Sequence, residues 1–267
     1  MRWRPIAGII LRQFYLLRGS PVRVIPMFAW VGIDIVLWGF ITRYLNSVGG
    51  GRIDFVPQLL GAVLFWDFLT RIMQGVTVAF LEDVWSRNFL NIFATPLSIT
   101  EYLTGLVITG IATSVVGLAV MLVLATLVFG LAFFSLGILL AQFVMVLLLF
   151  GIVLGILSSA MVLRWGPSAE WLTWPIPALL APFAAVFYPV ATLPGWMRMV
   201  ASALPPSYVF EALRSHLAAR TPSAGALLWV SVLTLLYLLA SGVVFTRVYR
   251  HVVRSGLLAR YSAESSG

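Results

Sequence analysis

The sequence predicts an all-helical membrane protein. We expect six transmembrane helices, an N-terminal interfacial helix, a short cytoplasmic helix, and two short external helices before the last span. Hydrophobic residues make up 61% of the 267 residues and charged residues only 10%, against about 25% charged in ordinary soluble domains. The apolar runs reach the roughly 20 residues that a bilayer-spanning helix needs. The chain therefore divides into an amphipathic segment (1–23), a membrane domain (24–249) and a cytoplasmic tail (250–267).

The first 23 residues combine basic and apolar side chains. The apolar ones recur at a helical spacing with arginines around them, which predicts a helix lying on the membrane surface. The apolar stripe comprises Ile6, Ile9, Ile10, Phe14 and Leu17.

Six apolar runs follow, and each is long enough to span. They cover residues 24–45, 57–80, 102–130, 135–163, 172–190 and 225–248. The fifth is the weakest, because Pro175, Pro177 and Pro182 each remove a backbone donor. Neighbouring helices must compensate there, or the segment is broken.

The arginines predict the orientation. All 17 Lys and Arg positions are arginine, and with the N-terminus inside, eleven lie on the cytoplasmic side, five lie outside and Arg71 lies within a span. This bias favours both termini in the cytoplasm and a multi-pass location in the cell inner membrane. Because the arginines flank the first and last spans, we expect them to set the orientation and not to bind nucleic acid, and we expect membrane lipid among the partners of the protein.

The residues that nucleotide hydrolysis and metal chemistry need are scarce. A P-loop requires a lysine to contact the terminal phosphates, and the sequence has no lysine and no cysteine. The two histidines, His216 and His251, belong to no metalloprotease motif,. We therefore expect no enzymatic activity and no cofactor or metal in this chain.

Two of the connections between predicted spans have sequence patterns that predict secondary structure. Between the second and third spans, apolar residues recur at a helical spacing over 82–93, and Glu82 and Asp83 suit a first turn,. This predicts a short cytoplasmic helix, whose mixed charges favour a protein groove over anionic lipid. The connection 188–224 is external, rich in proline and aromatic residues, and predicts two short helices.

Three ionisable residues fall within the first two spans, namely Asp34, Asp67 and Arg71. Charges at that depth must be paired or face water. Asp67 and Arg71 are four apart, acid first, and can neutralise each other. The group is either a packing pair or a polar patch on a substrate path or proton relay. Gly151 and Gly155 likewise form a G-x-x-x-G that is either a helix-packing site or a chance match.

Both connections resemble the ABC type 2 transporter permeases. The cytoplasmic one runs from Glu82-Asp83 to Thr95-Pro96-Leu97-Ser98 and then Glu101, similar to that family's acidic-to-TPLS segment. The external one contains Tyr188-Pro189, Leu193-Pro194-Gly195-Trp196 and Leu204-Pro205-Pro206-Ser207-Tyr208, followed by Glu211-Ala212-Leu213-Arg214, similar to its YP…LPxW…LPxxYxxEAxR signature. Residues 86–91 depart from the family's common Gly-Thr-Leu-Glu-like run, which leaves the subfamily and the cargo open.

The resemblance implies a permease domain at 24–249 and an exporter made of two permease copies, or this chain and a paralogue, with soluble ABC ATPase subunits that bind Mg-ATP. The cargo would be amphiphilic, such as a lipid-linked glycan, lipid, drug or peptide. The helix at 82–93 would be the coupling helix, and the loop helices would form an external gate. The implied coupling residues are Glu82, Asp83, Trp85, Arg87 and Phe89; the implied gate residues are Tyr188, Pro189, Trp196, Tyr208, Glu211 and Arg214.

Other functions fit the composition as well. A secondary transporter or channel would use Asp34 and Asp67, but such proteins usually carry paired broken helices in inverted repeats. Only the fifth run here contains such a break. A membrane enzyme or an assembly factor is the remaining alternative.

Overall fold

The computed structural model describes residues 2–48, 56–86, 88, 91–92, 94–130 and 136–257. The described residues are overwhelmingly helical and contain no strand. Four of the helices searched are long and apolar enough to cross a membrane: Pro57–Trp85, Ile99–Phe129, Ile138–Trp165 and Ala224–Arg254. A membrane protein with several apolar helices is therefore supported, while six spans are not.

The chain begins with two helices that pack against a later one. Helix α1 (Trp3–Arg18) is followed by α2 (Pro21–Val48), which contains the first predicted span. Helix α3 (Gly61–Trp85) continues from a π-helical turn (Val56–Leu60). Helix α4 (Ile99–Phe129) receives both α1 and α2 on its surface.

The centre of the bundle is α3, which packs against α4 and against α5 (Ile138–Trp165). Close approach is possible because both contacts contain glycine. A Cβ on Gly155 of α5 would lie 2.7 Å from the Val76 Cβ, and one on Gly75 would lie 3.1 Å from the Gly110 Cα of α4. Gly151 of α5 is equally close to Ile72. The G-x-x-x-G of α5 is therefore a packing site between helices.

Of the two outcomes that the sequence left open for the fifth run, the structure has the broken segment, and residues 172–190 do not form a single helix. A 3₁₀ turn (Pro167–Ala169) leads into two short helices, α6 (Glu170–Thr173) and α7 (Ile176–Leu180), and turns follow. The prolines explain the break, because each lacks the N–H that a continuing helix needs. Ala185, at a φ of 50°, ends the helical path.

Two short helices precede the last one, as the connection predicted. After a 3₁₀ turn (Val190–Thr192), α8 (Gly195–Ala203) and α9 (Pro205–Leu217) each start at or next to a proline. Proline suits a helix start because the first N–H groups need no intrahelical acceptor. Helix α10 (Ala224–Arg254) then packs against α5 and α9.

The predicted cytoplasmic helix at 82–93 is not a separate element at its start. Residues 82–85 are the last turn of α3, which continues past the apolar run without a break and ends at Trp85, with Ser86 as its C-cap. The reason is local, since no proline or glycine lies between Val76 and Ser86 to stop the helix,. Further along, the Ile92 amide donates to the Asn88 carbonyl.

Cysteine labelling tests the predicted orientation. Ser86 and Thr221 are exposed and lie at the two sides that the arginine bias assigns to the cytoplasm and the exterior,. In the cysteine-free background, we expect a membrane-impermeant maleimide to label Thr221→Cys on intact cells and Ser86→Cys only after permeabilisation. Labelling of Ser86→Cys from outside would overturn the orientation. The further predicted positions, Arg52 and Ser262, lie outside the described residues.

Candidate functional site: charged clusters at the two ends of the bundle

Charged residues, some of them predicted from the sequence, form three clusters. One lies where α3 ends, and the other two lie nearer its start, one within α3 and one on α9. The position of the cluster on α9 follows from an aromatic contact. The ring centroid of Phe210, the residue before Glu211, lies 6.1 Å from that of Trp66 in α3. Since Trp66 and Asp83 are 17 residues apart, the end clusters are separated by about 25 Å along the helix.

The first cluster, the Asp83 network, consists of Arg12, Asp83 and Tyr102. The Asp83 carboxylate is buried, receives a hydrogen bond of 2.7 Å from the Tyr102 hydroxyl, and forms an ion pair with the Arg12 guanidinium. Burial lowers the pKa of Arg12, but the hydrogen bond and charge of Asp83 outweigh it and raise that pKa overall. The network therefore joins α1, α3 and α4 through one ion pair and one hydrogen bond.

A second pair lies on the other side of the same connection. The Arg2 backbone N–H and Nε donate to Glu101 Oε1 at 2.8 and 3.2 Å, and Arg2 Nη2 lies 3.1 Å from Oε2. The hydrogen bond to Glu101 raises the pKa of Arg2. Glu101 also accepts from the Ser98 N–H at 3.1 Å, while the Ser98 hydroxyl accepts from the Glu101 N–H at 3.2 Å. Ser98 and Glu101 thus form a capping box that starts α4,.

The ion pairs Arg12–Asp83 and Arg2–Glu101 connect α1 and its N-cap to the two ends of residues 86–98. The Arg2 guanidinium additionally donates to the Pro96 carbonyl. Arg2 and Arg12 are about 15 Å apart along α1, so the helix lies across the ends of α3 and α4. The contact is close, because a Cβ on Gly105 would lie 2.7 Å from the Ile9 Cβ. These three helix segments are consequently tied to one another at this end of the bundle.

The five coupling residues are therefore not one surface. Asp83 is buried inside the network and is not exposed at the surface of the described chain. Glu82 is half-buried and close enough to Arg12 to interact with its charge. Trp85 is 49% exposed and donates from Nε1 to Glu170 Oε2 at 2.6 Å, linking α3 to α6. Arg87 and Phe89 lie outside the described residues.

The second cluster is the pair predicted within α3. Arg71 Nε donates to Asp67 Oδ2 at 2.6 Å, and both side chains are largely buried. Asp34 of α2 is half-buried and interacts electrostatically with Arg71. Two carboxylates and one guanidinium thus meet between α2 and α3, and the sequence left open whether they serve packing or transport.

The third cluster, the Glu211 cluster, holds the turn before α8. Glu211 Oε1 accepts the Val190 N–H at 2.6 Å and pairs with Arg214 Nη2 at 3.1 Å, while Arg214 Nη1 donates to the Val186 carbonyl at 3.3 Å. Burial lowers the pKa of Arg214, and Glu211 acts in the opposite direction. The cluster fixes residues 186–190 against α9.

The other predicted gate residues mostly stabilise local turns. The Tyr188 hydroxyl donates to the Pro182 carbonyl and the Tyr208 hydroxyl to the Ser202 carbonyl, each at 2.8 Å. The Pro189 carbonyl accepts from Thr192. Trp196 contacts Phe183 edge-on at 5.9 Å but remains 59% exposed. The structure thus brings the gate residues into one region, with Trp196 as its exposed aromatic surface.

Three participants were missed in the sequence. No local pattern indicates a partner for Arg2, Arg12 or Tyr102, because the carboxylates that they contact lie far away in the chain. The capping box had such a signal, since Ser98 and Glu101 show the S-x-x-E spacing before an apolar run,. Metal-binding groups of three or more His, Cys, Asp or Glu are absent from the described ranges.

Comparison with known proteins adds no assignment: no family model matches the chain, and no curated protein matches it.

Proposed function

We propose that this protein is the membrane-spanning permease subunit of an ATP-driven exporter, with an amphiphilic cargo and a separate ATPase subunit. One observation carries the proposal: both ends of residues 86–98 are tied by charge to α1, through Asp83 with Arg12 and through Glu101 with Arg2. A segment that receives force from a partner must be connected to the helices that it moves. The Asp83 network and the capping box meet that requirement.

The sequence supports the division of labour. Without a lysine the chain has no P-loop,, so the energy source would be a soluble ABC ATPase that binds Mg-ATP. The family resemblance of both connections points to the same arrangement, with a second permease copy or a paralogue completing the exporter. The proposed location is the inner membrane with both termini in the cytoplasm.

The described geometry refines which residues would contact the ATPase. Asp83 is buried and therefore acts inside the permease as a positioning residue. Trp85, half-exposed at the end of α3, remains available, with Phe89 as its sequence-predicted neighbour four residues later. Aromatic side chains of this kind dominate the binding energy of most protein interfaces.

Replacing Trp85 and Phe89 by alanine tests this assignment. We expect the double variant to insert normally, because both residues follow the apolar run 57–80, and thermal unfolding verifies that loss of the Trp85 hydrogen bond to Glu170 leaves the protein folded. When the tagged double variant is isolated from membranes of the source cell, the ATP-hydrolysing activity that co-purifies with it should fall about tenfold or more. The loss of an interface hot spot has an effect of this size. Mg-dependent ATP hydrolysis in the eluate and transport by reconstituted vesicles are the measurements.

Trp229→Ala provides the matched control. Trp229 is equally exposed but lies on α10 near the predicted outer side, so its loss should leave ATPase recovery unchanged. Wild-type recovery of ATPase activity with the double variant would remove the coupling assignment. Hydrolysis by the purified chain alone, abolished by a point substitution in it, would remove the proposed division of labour.

The Asp34, Asp67 and Arg71 cluster favours a second candidate, a secondary transporter or channel. Its two carboxylates and one guanidinium could bind a cation or relay protons. The two functions differ in energy source. Transport that persists without ATP, follows an imposed ion gradient and disappears in Asp34→Asn would favour the second candidate over the exporter.

A further inference from the structure

We propose that the C-terminal part of α10 binds an anionic phospholipid, with Arg247, Arg250 and Arg254 holding the headgroup phosphate. This site is separate from the three charged clusters, and it requires only that the protein is embedded in a membrane. It does not depend on the proposed ATPase partner.

A basic cleft lies at the end of α10. Arg247, Arg250, His251, Arg254 and Ser255 line an open space of about 410 Å³. The three arginines are exposed, and their spacing of three and four residues puts them on one helix face. Within the described residues, none of the ion pairs includes any of them.

The same face of α10 is apolar and exposed further toward its N-terminus. Val232, Leu236, Leu239 and Val243 continue the spacing of four and three residues that leads to Arg247, and they are 43%, 54%, 68% and 49% exposed. One stripe therefore changes from apolar to basic along a single helix. A phospholipid has this chemistry in the same order, with acyl chains followed by a charged headgroup.

The length of α10 places the transition from apolar to basic side chains at the depth of the lipid headgroups. Its 31 residues extend about 46 Å, compared with a hydrocarbon core of about 30 Å. When the apolar part of the stripe lies in the core, the arginines reach the headgroup region. Arginine is well suited to phosphate there, because its planar guanidinium can donate two parallel hydrogen bonds.

A second copy of this chain fits the stripe less well. A symmetric contact centred on the stripe would bring two rows of arginines together, and like charges repel. If the arginines only set the orientation of the protein in the membrane, the protein would bind different lipids without preference. Binding selectivity therefore distinguishes a lipid site from both alternatives.

Native mass spectrometry of the delipidated full-length protein can measure this selectivity. The probes are phosphatidylglycerol and phosphatidylcholine with identical acyl chains. We expect the wild-type protein to bind phosphatidylglycerol more tightly, and Arg250→Gln/Arg254→Gln to weaken that binding by about thirtyfold, from the usual contribution of two interfacial arginines. Binding of phosphatidylcholine should change little.

Two further variants make the result specific. Arg250→Lys/Arg254→Lys keeps the charge and should retain most of the preference. Arg43→Gln/Arg220→Gln removes two exposed arginines near the predicted outer side and should bind phosphatidylglycerol like the wild type. Thermal unfolding of each variant in detergent verifies that differences in binding do not reflect unfolding.

Several outcomes would overturn the proposal. Equal binding of both lipids by the wild type would leave the arginines a topogenic role only. An unchanged preference in Arg250→Gln/Arg254→Gln, or an equal loss in the outer control, would move the site elsewhere. Displacement of phosphatidylglycerol by equimolar glycerol phosphate would show that a free phosphate, rather than a lipid, is the ligand.

Discussion

Gly155→Ala should destabilise the folded protein, although the same substitution in an open helix position stabilises a helix. The new Cβ would lie 2.7 Å from the Val76 Cβ and 3.0 Å from the Met73 carbonyl oxygen of α3. Neither atom is the end of a flexible side chain, so α3 and α5 must separate. Overpacking of this kind costs about 1 to 3 kcal/mol, and thermal unfolding in detergent measures it as a lower midpoint.

Gly242→Ala is the matched control, because a Cβ there meets no atom within 4 Å. Its helix propensity should raise stability by up to about 1 kcal/mol. The two alanine variants should therefore change the unfolding midpoint in opposite directions. Gly155→Leu, with a larger side chain, should abolish recovery of folded monodisperse protein. A Gly155→Ala variant as stable as Gly242→Ala would contradict the close packing of α3 and α5.

Local patterns predicted much of the helical structure. Continuous hydropathy was sufficient for α4, α5 and α10, since a long apolar run without prolines has few alternatives to a helix in a membrane. The proline-rich connection before α10 was also predicted correctly as two short helices. These features depend on neighbouring residues only, and a single sequence contains that information.

Boundaries were predicted less well, for two different reasons. The helix expected at 82–93 starts inside α3, because an amphipathic pattern does not reveal whether it continues a preceding helix. The fifth run had enough apolar residues to span but too many prolines for one helix. Composition predicts burial in the membrane, whereas backbone hydrogen bonding decides whether a single helix can form.

The charged contacts likewise include one that local spacing predicts and one that it does not. The pair of Asp67 and Arg71 follows from an i, i+4 spacing and forms at 2.6 Å. The contact of Asp83 with Arg12 joins residues in different helices, so no periodicity could predict it. The resemblance therefore named Asp83 only as one of the implied coupling residues, and the packing of α1 is what places its side chain in the interior.

Neutralising Asp83 should destabilise the protein by more than any exposed charge does. Asp83→Asn preserves the shape but leaves the Arg12 guanidinium, whose side chain is 29% exposed, without its carboxylate. Removing one partner of a buried ion pair costs about 3 to 5 kcal/mol, and the partial exposure of Arg12 favours the lower end. Thermal or denaturant unfolding of the purified protein measures the loss.

A double-mutant cycle separates the ion pair from other effects of the substitutions. The double variant Arg12→Gln/Asp83→Asn should be more stable than the sum of the single losses predicts, because it leaves no buried charge unpaired; a coupling free energy of about 1 to 3 kcal/mol is expected. Tyr102→Phe, which removes one hydrogen bond to Asp83, should cost about 1.5 kcal/mol or more. Arg2→Gln, at a side chain that is 59% exposed, should have a clearly smaller effect. If the losses for Arg12 and Asp83 were additive, the two charges would not act as a pair, and one of the two connections between α1 and residues 86–98 that carry the proposed function would be removed.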